Sequence, residues 1–141
     1  MIRTQDWIEE NVGYLFDYAL GYMSHTGITE PTPKFHMLDQ EGRIAVVSCE
    51  FWYKDDEHTP EEYKEFGGLL DNLQESYGAV ASLLSFIGEV KGKPVICILS
   101  SGRGVTPILH YKEIIWSSQA EFIDFTITTS IPWKQVRNLK Y

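Results

Sequence analysis

Apolar residues recur at intervals of three and four in two stretches of the chain and at intervals of two in much of the rest. In the first stretch Ile8, Val12, Leu15, Ala19 and Tyr22 form one stripe, which predicts a helix from about Gln5 to Met23. Asp6 followed by Glu9 resembles a capping box, and Thr4 is an alternative cap. Gly13 and Gly21 weaken the helix and leave its length open. "SHTGITEPTPK" then reads as a loop stiffened by Pro31 and Pro33, neither of which carries a backbone donor.

A period of two follows. "KFHML" and "RIAVVSCEFWYK" flank "DQEG", in which Asp39 and Gly42 suit the first and last positions of a type I turn. Along the second of these strands Ala45, Val47, Cys49, Phe51 and Tyr53 share one face, the better core candidate. Ile44, Val46, Ser48, Glu50 and Trp52 share the other, which is expected to be partly covered. The helical period then returns. Thr59 is a good N-cap, Pro60 suits the first helical position and Glu62 completes a capping box. Tyr63, Phe66, Leu70, Leu73, Tyr77, Val80, Leu84 and Ile87 continue the stripe up to Gly88, a plausible stop. Gly67, Gly68 and Gly78 interrupt this stripe and either bend the helix, split it or let it pack closely.

The last third reads as strands. "PVICILS" is apolar on both faces, as a central strand is, and "VTPILHYKEIIW" follows with Pro107 marking an edge or an early strand position. "EFIDFTITTS" alternates between Ile123, Phe125, Ile127 and Asp124, Thr126, Thr128. "SIPWKQVRNLKY" is expected to form a short helix capped by Ser130, with Trp133, Val136 and Leu139 or Lys140 along one side. The predicted order is α-β-β-α-β-β-β-α. It describes a single α+β domain over residues 1–141, with a largely antiparallel sheet of about five strands and helices packed on one face. This order is similar to that of profilin-like and roadblock-type domains and to the layout of type III secretion chaperones, a resemblance of element order alone.

Composition sharpens the picture where charge is concerned. The 141 residues carry a net charge of −8, with 13% aromatic residues. Residues 50–90 hold ten acids against two bases, residues 1–49 seven against three, and residues 91–141 three against seven. The middle therefore carries the whole excess, while the flanks cancel each other. Nucleic acid is disfavoured as a partner, because its backbone requires a basic stripe. No apolar run approaches the ~20 residues that span a bilayer. The N-terminus "MIRTQDWIEE" has acids where a signal peptide has its apolar segment, so a cytoplasmic chain without a membrane partner is expected. Cys49 and Cys97 lie in apolar strand-like runs and are expected to be buried free thiols.

Candidate chemistry is sparse. In "SSGRGVTP" a phosphate loop would need a Lys and a Ser or Thr after the last glycine, and Pro107 disfavours the helix that should follow. A β-hairpin turn is the better reading, with Arg103 left as a contact for a carboxylate or phosphate. His25, His36, His58 and His110 show no ligand spacing, and the cluster Asp55, Asp56, Glu57, His58 reads as a solvated loop before a helix, so no metal or cofactor is expected. The Ser-rich segments contain no nucleophile elbow, and an enzyme is the less favoured class.

The acidic middle, flanked by Phe51, Trp52, Tyr53 and Tyr63, is the stronger signal. The leading expectation is a non-enzymatic acidic binding protein of the immunity-factor, inhibitor or chaperone type. Asp55, Asp56, Glu57, Glu61 and Glu62 would steer a basic protein partner, and Trp52 and Tyr53 would anchor it. The first alternative is a binder or enzyme for a small anionic ligand held by Ser101, Gly102, Arg103 and Gly104 in the Ser100–Gly104 loop. The second is a dimeric scaffolding module, a homodimer joined along Glu121–Ser130 or Pro107's strand.

Overall fold

In the computed structural model, residues 4–26, 32–49, 60–116, 123–126, 128–132 and 139–140 are described. Their elements, in chain order, are α1 (Thr4–Thr26), β1 (Lys34–Asp39), β2 (Ile44–Ser48), α2 (Pro60–Tyr77), β3 (Ala79–Val90), β4 (Lys93–Gly102), β5 (Val105–Trp116), β6 (Ile123–Phe125), β7 (Thr129–Pro132) and β8 (Leu139–Lys140). The fold is α+β, with one antiparallel sheet in the order β2-β1-β3-β4-β5-β6. β7 also pairs with β5, and β8 with the end of β3. No helix of the described residues is long and apolar enough to cross a membrane.

β4 is the predicted central strand, with Val95, Ile96, Cys97 and Ile98 all buried. Beside it lies the main departure from the sequence reading. The stripe expected to continue as helix to Ile87 turns at Gly78, whose N–H donates to the Glu75 carbonyl and whose φ of +73° ends α2 in the left-handed region. Beyond that point Ala81, Leu83, Leu84 and Phe86 are buried on alternate faces, a pattern a strand between two layers requires. The helical spacing of Val80, Leu84 and Ile87 was a coincidence within an almost continuous apolar run. Lys91 and Gly92, at φ +52° and +80°, close a two-residue hairpin into β4.

Helices cover both faces of the sheet, where one covered face was expected. Trp7, Ile8, Val12, Leu15 and Phe16 of α1 pack on Leu38, Ala81, Leu83, Ile96 and Ile98. Leu70 of α2, with Leu73 and Tyr77, packs on Phe35, Met37, Leu84, Phe86, Val95, Cys97 and Leu109. The alternation of apolar side chains along β3 and β4 leaves no other solution, since each face must be removed from water. The α1 stripe is also rotated from the expected one, because Phe16 and Met23 are buried while Tyr22 is exposed.

The β1–β2 turn forms as predicted: Gly42 N–H donates to the Asp39 carbonyl, and the Asp39 carboxylate accepts from Glu41 N–H, Arg43 N–H and Arg43 Nε. Burial alone would raise the Asp39 carboxyl, but those hydrogen bonds and the Arg43 charge hold it below its ordinary value. Pro107 stands in β5 at a register shift between Ser100 and Gly102, where two residues oppose one and its missing donor costs no ladder bond. The chain end differs from expectation as well. Ser130 lies in β7 rather than capping a helix, and Leu139–Lys140 form β8. Trp133 and Val136 lie outside the described residues.

Gly68 and Gly78 separate the two roles of glycine in this fold. Gly68 is an exposed helix interior position with open space around it, so Gly68→Ala should raise stability by about 0.5–1 kcal/mol. Gly78→Ala forces a side chain into the left-handed region and should lower it by about 1–2 kcal/mol. Urea denaturation followed by circular dichroism reads both signs.

Candidate interaction surface

The hairpin from β4 to β5 carries the predicted loop residues, and most of their polar groups face inward. Ser101 Oγ lies 2.8 Å from Ser82 Oγ, which donates in turn to Gln74 Oε1 of α2 at 3.1 Å. Arg103 N–H donates to the Val80 carbonyl at 3.0 Å. At Gly102 a Cβ would stand 2.9 Å from Thr4 Cγ2 and 2.9 Å from the Val80 oxygen, so this glycine is the point where the start of α1 settles against the sheet. Gly104 supplies the positive φ, +70°, that the turn needs. Of the four residues expected to hold an anion, Arg103 alone presents a charged side chain, and it is exposed.

The predicted acidic determinants divide. Trp52, Tyr53, Asp55, Asp56 and Glu57 lie outside the described residues. Glu61 and Glu62 form the first turn of α2, where their charge favours the helix dipole. Glu61 is exposed and Glu62 half-buried. Glu65, Asp71 and Glu75 are exposed on the same helix. No base balances its last turn. Arg43 is engaged by Asp39 and Glu41, and Lys93 by Glu113, on other elements.

The opposite face carries an aromatic surface that the sequence reading missed. Tyr14, Tyr18 and Tyr22, one turn apart on α1, stack at centroid distances of 6.4 and 6.3 Å and remain exposed. Lys34 Nζ sits 5.6 Å above the Tyr18 ring, so the ladder leans toward β1. Beyond β1, Ile44 and Val46 of β2 are each 54% exposed, so the cover on that face is only partial, and its Glu50 and Trp52 lie outside the described residues. The interval of four between the tyrosines was the available signal. Its assignment to solvent was not, because Tyr22 fits the core stripe equally well by spacing.

Two histidines sit in this layer of the sheet. His36 of β1 is half-buried with its Nδ1 enclosed and unpartnered, as is Trp7 Nε1. His110 of β5 joins three strands: Nε2 lies 3.0 Å from Ser100 Oγ of β4, and Nδ1 2.8 Å from Ser130 Oγ of β7. Ser100 Oγ also donates to the Ile108 carbonyl at 3.3 Å. One proton assignment satisfies all of these: Nε2–H donates to Ser100, and Nδ1 accepts from Ser130. An imidazole between two hydroxyls is a component of nucleophilic sites. Here Ser130 stands directly opposite His110 in the β5–β7 register, and the chain fastens β7 to the sheet. Burial lowers His110 below its ordinary value, and burial with the Lys34 charge lowers His36 against the opposing pull of a Leu83 backbone hydrogen bond.

Both cysteines are buried free thiols on the α2 side of the sheet, and burial raises both above their ordinary value, Cys97 far more than Cys49. Among the described residues no three His, Cys, Asp or Glu side chains gather as a metal site. Compared with protein families, characterised proteins and solved structures, the chain matches none.

Two predictions follow from these contacts. Gly102→Ala should destabilise the fold by about 1–3 kcal/mol through overpacking against Thr4 and Val80, whereas Arg103→Ala should change stability by less than about 0.5 kcal/mol. Chemical denaturation of the two variants compares them directly. The lowered histidines make stability fall on acidification: below the ordinary value of 6.5 the unfolded chain binds protons that folded His36 and His110 resist. Imidazole titrations by NMR should give midpoints below 6.5, and the double variant His36→Gln, His110→Gln should flatten the loss of stability as pH falls through that range.

Proposed function

We propose that this chain is a non-enzymatic binding protein, of the immunity-factor, inhibitor or chaperone type, that engages a basic protein partner. Asp55, Asp56, Glu57, Glu61 and Glu62 attract the partner, and Trp52 and Tyr53 provide apolar anchorage. The observation that carries this reading is the outer side of α2, where Glu61, Glu65, Asp71 and Glu75 are all exposed. Glu75 stands near the helix C-terminus, where a carboxylate opposes the dipole and the last turn itself holds no base. A helix selected for its own stability would place the opposite charge there. These carboxylates, together with the acid-rich residues 50–59 that precede α2 in sequence, would raise the rate of encounter with a basic protein and make binding salt-dependent.

The test separates this surface from bulk charge. One variant reverses Asp55, Asp56, Glu57, Glu61 and Glu62 to Lys. A control reverses the same number of exposed acidic positions elsewhere, namely Glu9, Glu10, Asp17, Glu89 and Asp124, and so has the same net charge. Association with a basic test protein at low salt, read by calorimetry, should be lost in the first variant and retained in the control, with circular dichroism unchanged in both. Equal binding by the two variants would refute the assignment.

A further inference from the structure

The β2 edge has features that call for another strand. Among the described residues β2 has β1 on one side and no strand on the other, so its outward backbone N–H and C=O groups are unpaired by the sheet. Soluble proteins usually guard such an edge with lysine, proline, a bulge or a very short strand. At the far side of this sheet β6 has three residues, and β7 ends at Pro132. Ile44–Ser48 has none of these guards. It reads Ile-Ala-Val-Val-Ser, carries no charge, and pairs with β1 in unbroken register from Ser48 to Ile44. Its Ile44 and Val46 side chains are each 54% exposed on the α1 side, although the same face of β1 holds buried Leu38.

We propose that β2 pairs with β2 of a second copy of this chain, antiparallel about a two-fold axis through Ala45, to make one continuous sheet. The strand is complementary to itself in that register. Ile44 lies opposite Val46 of the second copy, Val46 opposite its Ile44, and Ala45 opposite its own counterpart, so every exposed apolar side chain meets an apolar one. Charge complements the register. The β1–β2 turn carries Asp39 and Glu41 against Arg43, one net negative charge, and Lys34 sits at the other end of the same hairpin, opposite Ser48. The two-fold brings each turn beside the Lys34 end of the other copy. Such an interface is isologous and closed, and it stops at two copies. It also keeps both α1 helices on one side, so the two tyrosine ladders flank a shared floor built from β1 and β2 of each copy.

This seam differs from the one expected along Glu121–Ser130 or Pro107's strand. Pro107's strand, β5, has β4 on one side and β6 and β7 on the other. The proposal does not depend on the partner suggested for the acidic surface.

Sedimentation velocity from about 1 µM to about 500 µM tests it, because a two-copy equilibrium is concentration-dependent. The wild-type mass should rise toward twice 16.2 kDa, and Val46→Lys should weaken association at least about tenfold with an unchanged circular dichroism spectrum. Ala45→Cys supplies a second readout, since the two-fold register brings that position against its own copy and oxidation should yield a covalent dimer. A wild type that stays monomeric throughout overturns the proposal and leaves the edge to a strand of another protein. Dimers that persist in Val46→Lys, or an Ala45→Cys variant that does not cross-link, also overturn it.

Discussion

The pairing of β3 with β4 is the constraint on which the rest of the structure depends. Both strands are apolar on both faces, and their register sets Leu83 beside Ser100 and Leu84 beside Leu99. A sheet built on such strands has two faces to remove from water, and one helix cannot cover both. α1 takes the face of Ala81, Leu83, Ile96 and Ile98, and α2 that of Leu84, Phe86, Val95 and Cys97. The helices themselves contain glycines that would weaken them in isolation. Their stability comes from the surface they cover rather than from propensity.

The same pairing decides the fate of the "SSGRG" turn. Because the turn closes directly over the start of β3, Gly102 is pressed between Thr4 and the Val80 carbonyl, and Ser101 is drawn toward Ser82. The hydroxyls and glycines that look in sequence like a cradle for an anion bring α1, β3 and β4 together. Ser100, on the other face, belongs to the His110–Ser130 chain that holds β7. The polar groups of this region are largely satisfied by the fold, which leaves the Arg103 side chain as its outward feature.

Two surfaces of different character remain, on opposite sides of the sheet. The α2 side presents carboxylates and the α1 side stacked tyrosines next to a β2 edge of aliphatic residues. Charge acts over a Debye length of about 8 Å at physiological ionic strength, whereas a strand edge can act only on contact, through backbone pairing. A protein using both would attract one molecule with one face and join its own copy with the other. The two devices involve different residues.

The amino-acid sequence by itself determined the α+β class, the β1–β2 turn at Asp39 and Gly42, the central position of "PVICILS", the hairpin at "SGRG" and the first turn of α2 at Pro60. Each is set by neighbours in the chain, through turn chemistry, capping and local period. The boundary between α2 and β3 was legible only in part. Gly78 was visible, but an apolar run satisfies a period of 3.6 and a period of 2 alike, and burial on both faces is what separates them. Which strands are edges, which tyrosines face solvent, and how Ser100, His110 and Ser130 come together were decided by tertiary structure. These depend on registers between segments that are distant in sequence, and no local preference encodes a register.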